Sequence, residues 1–443
     1  MFKKIRASEF YKNILTLVSG TAIAQAVPII ASPFLTRLFS VEEFGVLSLF
    51  NSILAITAVI APLSYDKGIM LPKKDKGAIN MLSLAILNII VFSILLEVVI
   101  FFFNTSISKI FKVESIGYWL YWIPLAVFFR ALYLSAVHYS NRQKKYKLIA
   151  RSRIIHYSST SGGQVTSGFL SFGEFGLVGS SIVGIFVAFN FIFFKIGKTI
   201  RKSLHLISWT KIKYLAKRYV KFPLYSMPSA LLNLLSVHIP IFVLSAFYSQ
   251  EVIGLYGLGH RVLNLPVYVI GQSVGDVFFQ KISELRNDLK ALSETTFSVF
   301  RNMLLIGLIP IGTLTLFGGE IFALIFGNEW YIAGQYAEVL SPWILMVFST
   351  SPLSRIFFVL EKQDKGFLFN VILIIVRGLS LFIGCLLFSD AYYTILLFSI
   401  VSTLAWMIFA IYILRQARIQ YNRIIKLFLF IGSIFIIILL IKL

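Results

Sequence analysis

The chain has 443 residues, of which 58% are hydrophobic and 14% charged, with a mean hydropathy of +0.85. Soluble domains average about 45–50% apolar and 25% charged residues, so this composition excludes a water-soluble globular protein. The formal charge is +22 and the single cysteine is Cys385, which excludes a disulfide framework and a cysteine-based metal site.

A bilayer core about 30 Å thick takes roughly 20 apolar residues per helix. Runs of that kind predict spans at 14–38, 44–63, 79–103, 117–136, 148–172 and 177–194 in the first half of the chain. In the second half they fall at 222–247, 252–279, 297–317, 333–358, 367–387 and 391–414. A further run at 424–441 either spans or lies along the surface. Alternating-strand patterning is absent, which excludes a transmembrane barrel. Lys3, Lys4 and Arg6 ahead of Ala22-Ile23-Ala24-Gln25-Ala26 resemble a secretion signal, but the apolar run continues to Leu38 and predicts an uncleaved first span.

Two turns between spans are near copies: Ser40-Val41-Glu42-Glu43-Phe44-Gly45-Val46-Leu47 and Ser249-Gln250-Glu251-Val252-Ile253-Gly254-Leu255-Tyr256. A repeated helix–turn–helix unit is the internal symmetry from which secondary transporters build a central path. The basic residues collect on alternate loops: Lys67 to Lys76, Arg142 to Arg153, and Lys195 to Lys221. The intervening loops at 40–43, 171–176, 250–251 and 389–390 carry almost none. By the positive-inside rule the basic side and the N-terminus are cytoplasmic and both repeated turns face outward. Turns that share one orientation predict parallel repeats of six spans. The expected division is 1–200 for an N-terminal lobe, 201–221 for a basic linker against anionic headgroups, 222–415 for a C-terminal lobe, and 416–443 for an extra segment. The charge is therefore topological and does not call for nucleic acid.

Catalytic chemistry is missing. The outer loops are short, the longest being expected near 104–115 and 318–331. Gly197-Lys198-Thr199 matches only the end of a phosphate-binding loop, since Ile192 stands where its first glycine is needed. No nucleophile elbow or metal-ligand spacing appears. The expectation is a non-enzyme with no cofactor, and coupling to a proton or sodium gradient is left open.

A charge in the hydrocarbon core costs about 2.5–3.5 kcal/mol on insertion scales. Arg261, Arg130 and Arg377 lie near mid-span, with Arg37 at the outer end of the first span and Arg355 nearer the inner end of its own. Acidic residues of comparable depth are Glu97, Asp276 and Glu338, so cations outnumber carboxylates. A cationic cavity suits an anion, and guanidinium is a natural fork for phosphate oxygens. The fifth span, with His156, Ser158 to Ser161, Gln164, Thr166 and Ser167, is too polar for lipid and is expected to line that cavity. Asn233, His238, Gln272 and Asp276 add groups able to meet sugar hydroxyls, with interhelical hydrogen bonding as their other role.

Several motifs carry a resemblance. Pro33-Phe34-Leu35-Thr36-Arg37-Leu38-Phe39-Ser40 with Glu43-Phe44-Gly45, Tyr65-Asp66 with Leu71-Pro72-Lys73, Phe222-Pro223, the run from Gly254 to Pro266, and Ser351-Pro352-Leu353-Ser354 resemble polysaccharide flippases of the MOP (MATE-like) superfamily, the O-antigen and capsule (Wzx-type) group. The resemblance implies an all-α fold of two six-helix lobes around a central cavity. It also implies alternating access that carries an undecaprenyl-pyrophosphate-linked oligosaccharide between leaflets of the cytoplasmic (inner) membrane. Arg261 and Arg130 would meet the pyrophosphate or other acidic groups of the substrate, and the polymerase and chain-length proteins of the same pathway are the implied protein partners. A lipid II flippase would have fourteen spans against the twelve or thirteen read here. A multidrug cation antiporter would want buried carboxylates, and a polymerase would want a large outer loop.

Overall fold

The computed structural model describes residues 2–442 except 114, 286, 287 and 361. Side chains are described from Ser19 onward, except at 268, 269, 272, 273, 276, 280, 358, 363, 431 and 434–442. The described residues are helical with no strand, as the composition requires: in lipid a helix satisfies its own backbone groups. In chain order, the first nine helices are α1 (Phe2–Leu38), α2 (Val41–Ile60), α3 (Asp75–Ile110), α4 (Ile116–Leu120), α5 (Ile123–Arg142), α6 (Tyr146–Phe169), α7 (Gly173–Ser203), α8 (Trp209–Arg218) and α9 (Met227–Phe247). They are followed by α10 (Gln250–Leu263), α11 (Gln272–Glu284), α12 (Leu289–Phe326), α13 (Tyr331–Thr350), α14 (Ile356–Val359), α15 (Gln363–Leu387), α16 (Ala391–Gln416) and α17 (Tyr421–Lys442).

Two compact units divide the chain, Met1–Ile253 and Gly254–Leu443. The boundary falls inside α10, later than the basic linker, and α9 packs with the first unit. His238 on α9 meets Ser52 on α2, and the Lys112 backbone N–H donates to Ser245 O at 2.6 Å.

Nine helices are long and apolar enough to cross a membrane by length and composition, among the described residues. The expected span at 252–279 is a broken helix instead. Pro266 has no N–H to continue the ladder, and a π-helical turn at Val267–Gly271 joins α10 to α11. Both expected long outer loops are largely helical: α3 runs on to Ile110, and α12 runs on to Phe326 across a kink at Phe317.

In the first unit, α6 packs against α1 and α7, α5 against α3 and α7, and α2 against α9. The repeated turn begins α2 with a full capping box. The Glu43 N–H donates to Ser40 Oγ, and the Ser40 N–H donates to Glu43 Oε2 at 2.7 Å. Its second copy lies against it. Gln250 Nε2 donates to Glu42 O at 2.9 Å, and a Cβ on Gly45 would collide with the Gln250 carbonyl oxygen, so position 45 must be glycine for the two turns to touch.

In the second unit, α12 packs on α13, α13 on α16, and α15 on α16. The α12–α13 crossing is built from Gly318, Gly319 and Gly334, where a Cβ on Gly334 would run into the backbone of Gly318. The kink at Phe317 (φ −125°, ψ 26°) withdraws Gly319 N–H from its helical acceptor, and the Glu338 carboxylate on α13 accepts it at 2.9 Å. A half-buried carboxylate noticed in the sequence is thus the cap of a restarted helix.

Replacing Glu338 with Ala leaves that donor unsatisfied and is expected to cost about 1–3 kcal/mol of stability. Glu338→Gln keeps a carbonyl acceptor and should lose less than half as much. Thermal unfolding of the purified variants checks this, and equal losses would refute the capping role.

Candidate functional site

In the first unit α5 carries Arg130 and Tyr133 three residues apart, on one helical face. Tyr133 is 7% exposed and its hydroxyl lies 3.2 Å from Ser152 Oγ on α6. Ser152 already donates its hydrogen to Ile149 O at 2.9 Å, so Tyr133 is the donor. His156, one turn further along α6, sits with its ring centre 5.9 Å from that of Tyr133 and 5.0 Å from that of Tyr157.

From the opposite side, His238 on α9 approaches Ser52 on α2, Nδ1 to Oγ 2.9 Å. Ser52 also spends its hydrogen locally, on Ser48 O at 2.8 Å. His238 Nδ1 must therefore carry the proton, which in the neutral ring leaves Nε2 as an acceptor. The charge of Arg130 acts on both His156 and His238. Among the described residues, the titratable groups that act on Arg130 itself are the phenols of Tyr157 and Tyr133, with no carboxylate among them.

Arg130, His156 and His238, taken from three separate spans in the sequence, thus lie inside the first unit with both imidazoles within electrostatic reach of the guanidinium. Their neighbours Tyr133, Ser152 and Ser52 were not singled out in the sequence. Nearer the basic end lies a second group missed there: His138 Nε2 is 3.4 Å from Asp66 Oδ2, and Asp66, 5% exposed, has no partner for Oδ1.

The other expected residues fall elsewhere. Gln164 is buried between helices, its Nε2 donating to Leu177 O at 3.0 Å and to Ser181 Oγ at 3.3 Å on α7. The polar face of α6 is therefore divided: Ser161, Gln164 and Ser167 are buried, whereas Ser158, Gly162 and Thr166 are exposed. Arg37 is exposed and donates to Pro33 O of its own helix at 2.6 Å. Asn233 is exposed on α9. In the second unit Arg261 is exposed in the last turn of α10. The side chains of Gln272 and Asp276 lie outside the described residues.

Arg377 on α15 is 3% exposed. Its guanidinium lies over the rings of Trp343, 4.5 Å from the centroid, and Phe398, 4.9 Å. His260 stacks between Tyr256 and Trp343 with ring centres 5.6 and 5.8 Å away. The result is a continuous aromatic column with one cation at its end.

Packed apolar helices with a broken span, and cations held inside both units, define a polytopic all-α membrane protein with the architecture of a transporter. The sequence pattern of the family described as "Polysaccharide biosynthesis protein" matches residues 34–334, and the chain belongs to that family. Among curated proteins it is similar to the teichuronic acid biosynthesis protein TuaB of Bacillus subtilis (strain 168), 23% identical over 167 residues. That match covers 38% of this chain and 34% of the relative's length. Among solved structures it is similar to the lipid II flippase MurJ in an inward closed conformation. The TM-score is 0.72 at 15% identity, covering 93% of this chain and 89% of that one. It is also similar to an inward-facing multidrug resistance MATE family transporter of the MOP superfamily, with TM-score 0.65, 15% identity, and 91% and 95% coverage. At these identities the two structures establish the MATE-like fold.

A double-mutant cycle tests the Arg377 column. Trp343→Leu and Arg377→Met, measured by chemical unfolding singly and together, should show a coupling of about 0.5–2 kcal/mol. Additive losses would mean that the ring does not solvate the cation.

Proposed function

We propose that this protein is a flippase that carries a lipid-linked oligosaccharide across the cytoplasmic membrane for surface polysaccharide synthesis, by alternating access and without bond chemistry. The observation that carries the reading is the Arg130 cluster. It holds a cation whose described neighbours are phenols and imidazoles, which can orient an anion without neutralising it. A diphosphate offers the oxygens such a guanidinium binds, and hydroxyl and imidazole groups around it suit sugar hydroxyls. Membership of the polysaccharide biosynthesis family supports the sugar part of the substrate.

We take the carrier to be undecaprenyl pyrophosphate, and the membrane orientation to be the one set by the basic loops, with the N-terminus in the cytoplasm. The likeness in fold to a lipid II flippase accords with a lipid carrier of this size. The likeness to a multidrug transporter extends to the fold alone, and among the described residues no carboxylate acts on Arg130, whose surroundings lean toward anions.

The test is translocation of an undecaprenyl-pyrophosphate-linked oligosaccharide by the protein in sealed vesicles. Arg130→Ala should slow transport about 10- to 100-fold, the loss of one charge-assisted contact of about 1.4–2.8 kcal/mol. Arg130→Lys should recover part of it. Full transport by the Ala variant at normal protein level would refute the role of Arg130, and transport of cationic dyes in place of the lipid would refute the substrate class.

A further inference from the structure

At the basic end of the first unit, the turn at 61–74, the first turn of α3 and the helix α8 come together. The position of α8 is fixed from three sides. Ile212 and Leu215, 8% and 7% exposed, are packed into a core with Ile69, Ala78 and Ile79. Asn80, fully buried on α3, accepts Ser208 N–H at 2.9 Å and donates to Leu206 O at 3.0 Å, just ahead of α8. Tyr65 Oη donates to Ala216 O at 3.1 Å, and burial pushes the Tyr65 phenol up, so it remains a donor.

This fixed register sets lysine against lysine. Asn80 also donates to Lys76 O at 2.6 Å, one turn earlier on α3, so the bond to Ser208 sets Lys76 next to Lys211 on α8, and the charges of Lys76 and Lys74 both bear on Lys211. An ammonium has donors only, so two of them cannot satisfy one another. The proximity of Lys76 lowers the Lys211 pKa from its ordinary value, the sign of a repulsive contact. Asp75, between the two lysines of α3, points its carboxylate to Arg142 at 3.3 Å. The folded chain thus holds a cluster of donors that an acceptor-rich anion would relieve.

The same helix presents rings to its surroundings. Trp209 and Tyr214 are each 58% exposed, with the Lys213 ammonium 5.5 Å from the Trp209 ring centre. Exposed Trp and Tyr beside basic residues on a short amphipathic helix mark the headgroup layer of a membrane, where apolar bodies and polar tips are both satisfied.

We propose that Lys74, Lys76 and Lys211 form a site for the phosphate of an anionic phospholipid in the leaflet at this end of the unit, with α8 lying in the headgroup layer. The phosphate bridges lysines that otherwise repel, and the exposed rings of Trp209 and Tyr214 keep α8 in the headgroup layer beside it. A free phosphate ion would use the lysines but not the rings, which is why a lipid is the occupant argued for. The site is separate from the Arg130 cluster and does not rest on the identity of the transported substrate.

The test uses the full-length protein, purified in mild detergent, with retained phosphatidylglycerol counted by native mass spectrometry against phosphatidylcholine. Lys74→Gln/Lys76→Gln/Lys211→Gln should retain about tenfold less phosphatidylglycerol, while Lys195→Gln/Lys198→Gln/Lys202→Gln, which removes the same charge nearby, should stay within about twofold of the parent. Equal loss in the two triple variants would show a diffuse charge effect and overturn the site, as would no loss in the first. Displacement of the lipid by millimolar inorganic phosphate as readily as by added phosphatidylglycerol would overturn the lipid as occupant. Should the first triple variant fail to fold, Lys211→Gln alone is expected to lose about threefold, and unchanged retention in it would overturn the proposal.

Discussion

A guanidinium inside a membrane protein must be solvated by protein, because hydrocarbon offers it nothing. The two units meet that constraint differently. In the second, Arg377 is sealed among ring faces, over Trp343 and Phe398. An aromatic column is rigid and nearly dry, so this cation helps fix the packing of α13, α15 and α16 and is closed to a large ligand. In the first unit Arg130 is partly exposed, and its described neighbours are neutral dipoles. Neutral dipoles orient around a cation without cancelling its field, so that field remains available to an incoming anion. The same residue type at similar depth is structural in one environment and receptive in the other, and the difference lies in what surrounds it.

That difference was out of reach of the sequence. Depth along a span is a matter of counting, and counting placed Arg130, Arg261 and Arg377 in one class. What distinguishes Arg377 is Trp343, Phe398 and Tyr256 on three other helices, a matter of tertiary packing. The bond between His238 and Ser52 joins residues 186 apart in the chain, and no local pattern announces it. The serine-rich α6 shows the opposite error. Its polarity was legible, yet Ser161, Gln164 and Ser167 are buried, Gln164 bonding α7 and Ser167 its own helix, because small polar side chains serve helix–helix contact as readily as a wet cavity.

Fold and internal repetition were more legible, since they rest on composition and spacing. The all-α membrane class, the turn at Ser40 and the gathering of basic loops at one end of the first unit all follow from such patterns, whereas the cap on that turn was seen only in the structure. Local geometry was harder. Hydropathy falls off at Asn104 and again near Gly318, and both were read as loops, but helix α3 continues to Ile110, and α12 continues past its kink because Glu338 supplies the missing acceptor. Conversely the apolar run at 252–279 looked continuous. Pro266 breaks it, since hydropathy counts methylene groups and is blind to a missing N–H.

The two ends of the first unit are organised by opposite charge, and each end uses its charge to fix geometry. At one end Glu43 closes the capping box of α2, and its carboxylate also lies against Gly173 at the start of α7. The adjoining Glu174 accepts from Ser115 at 2.6 Å and from the Trp119 indole at 3.3 Å. Carboxylates there are acceptors at helix N-termini, where backbone N–H groups and the helix dipole favour them. At the other end the turn after α2 passes through Leu63 and Ser64, both left-handed at φ 51° and 58°, a conformation that costs about 1–3 kcal/mol per residue. Tyr65 to Ala216, and Arg142 to the carbonyls of Ile69 and Met70, offset that strain and hold the turn against α8. The acidic end is closed by its own hydrogen bonds. The basic end sets Lys76 beside Lys211, and the anion proposed above would bridge them. An end that an external anion would complete is suited to lie at a surface of phosphates, in keeping with the gathering of basic residues on these loops.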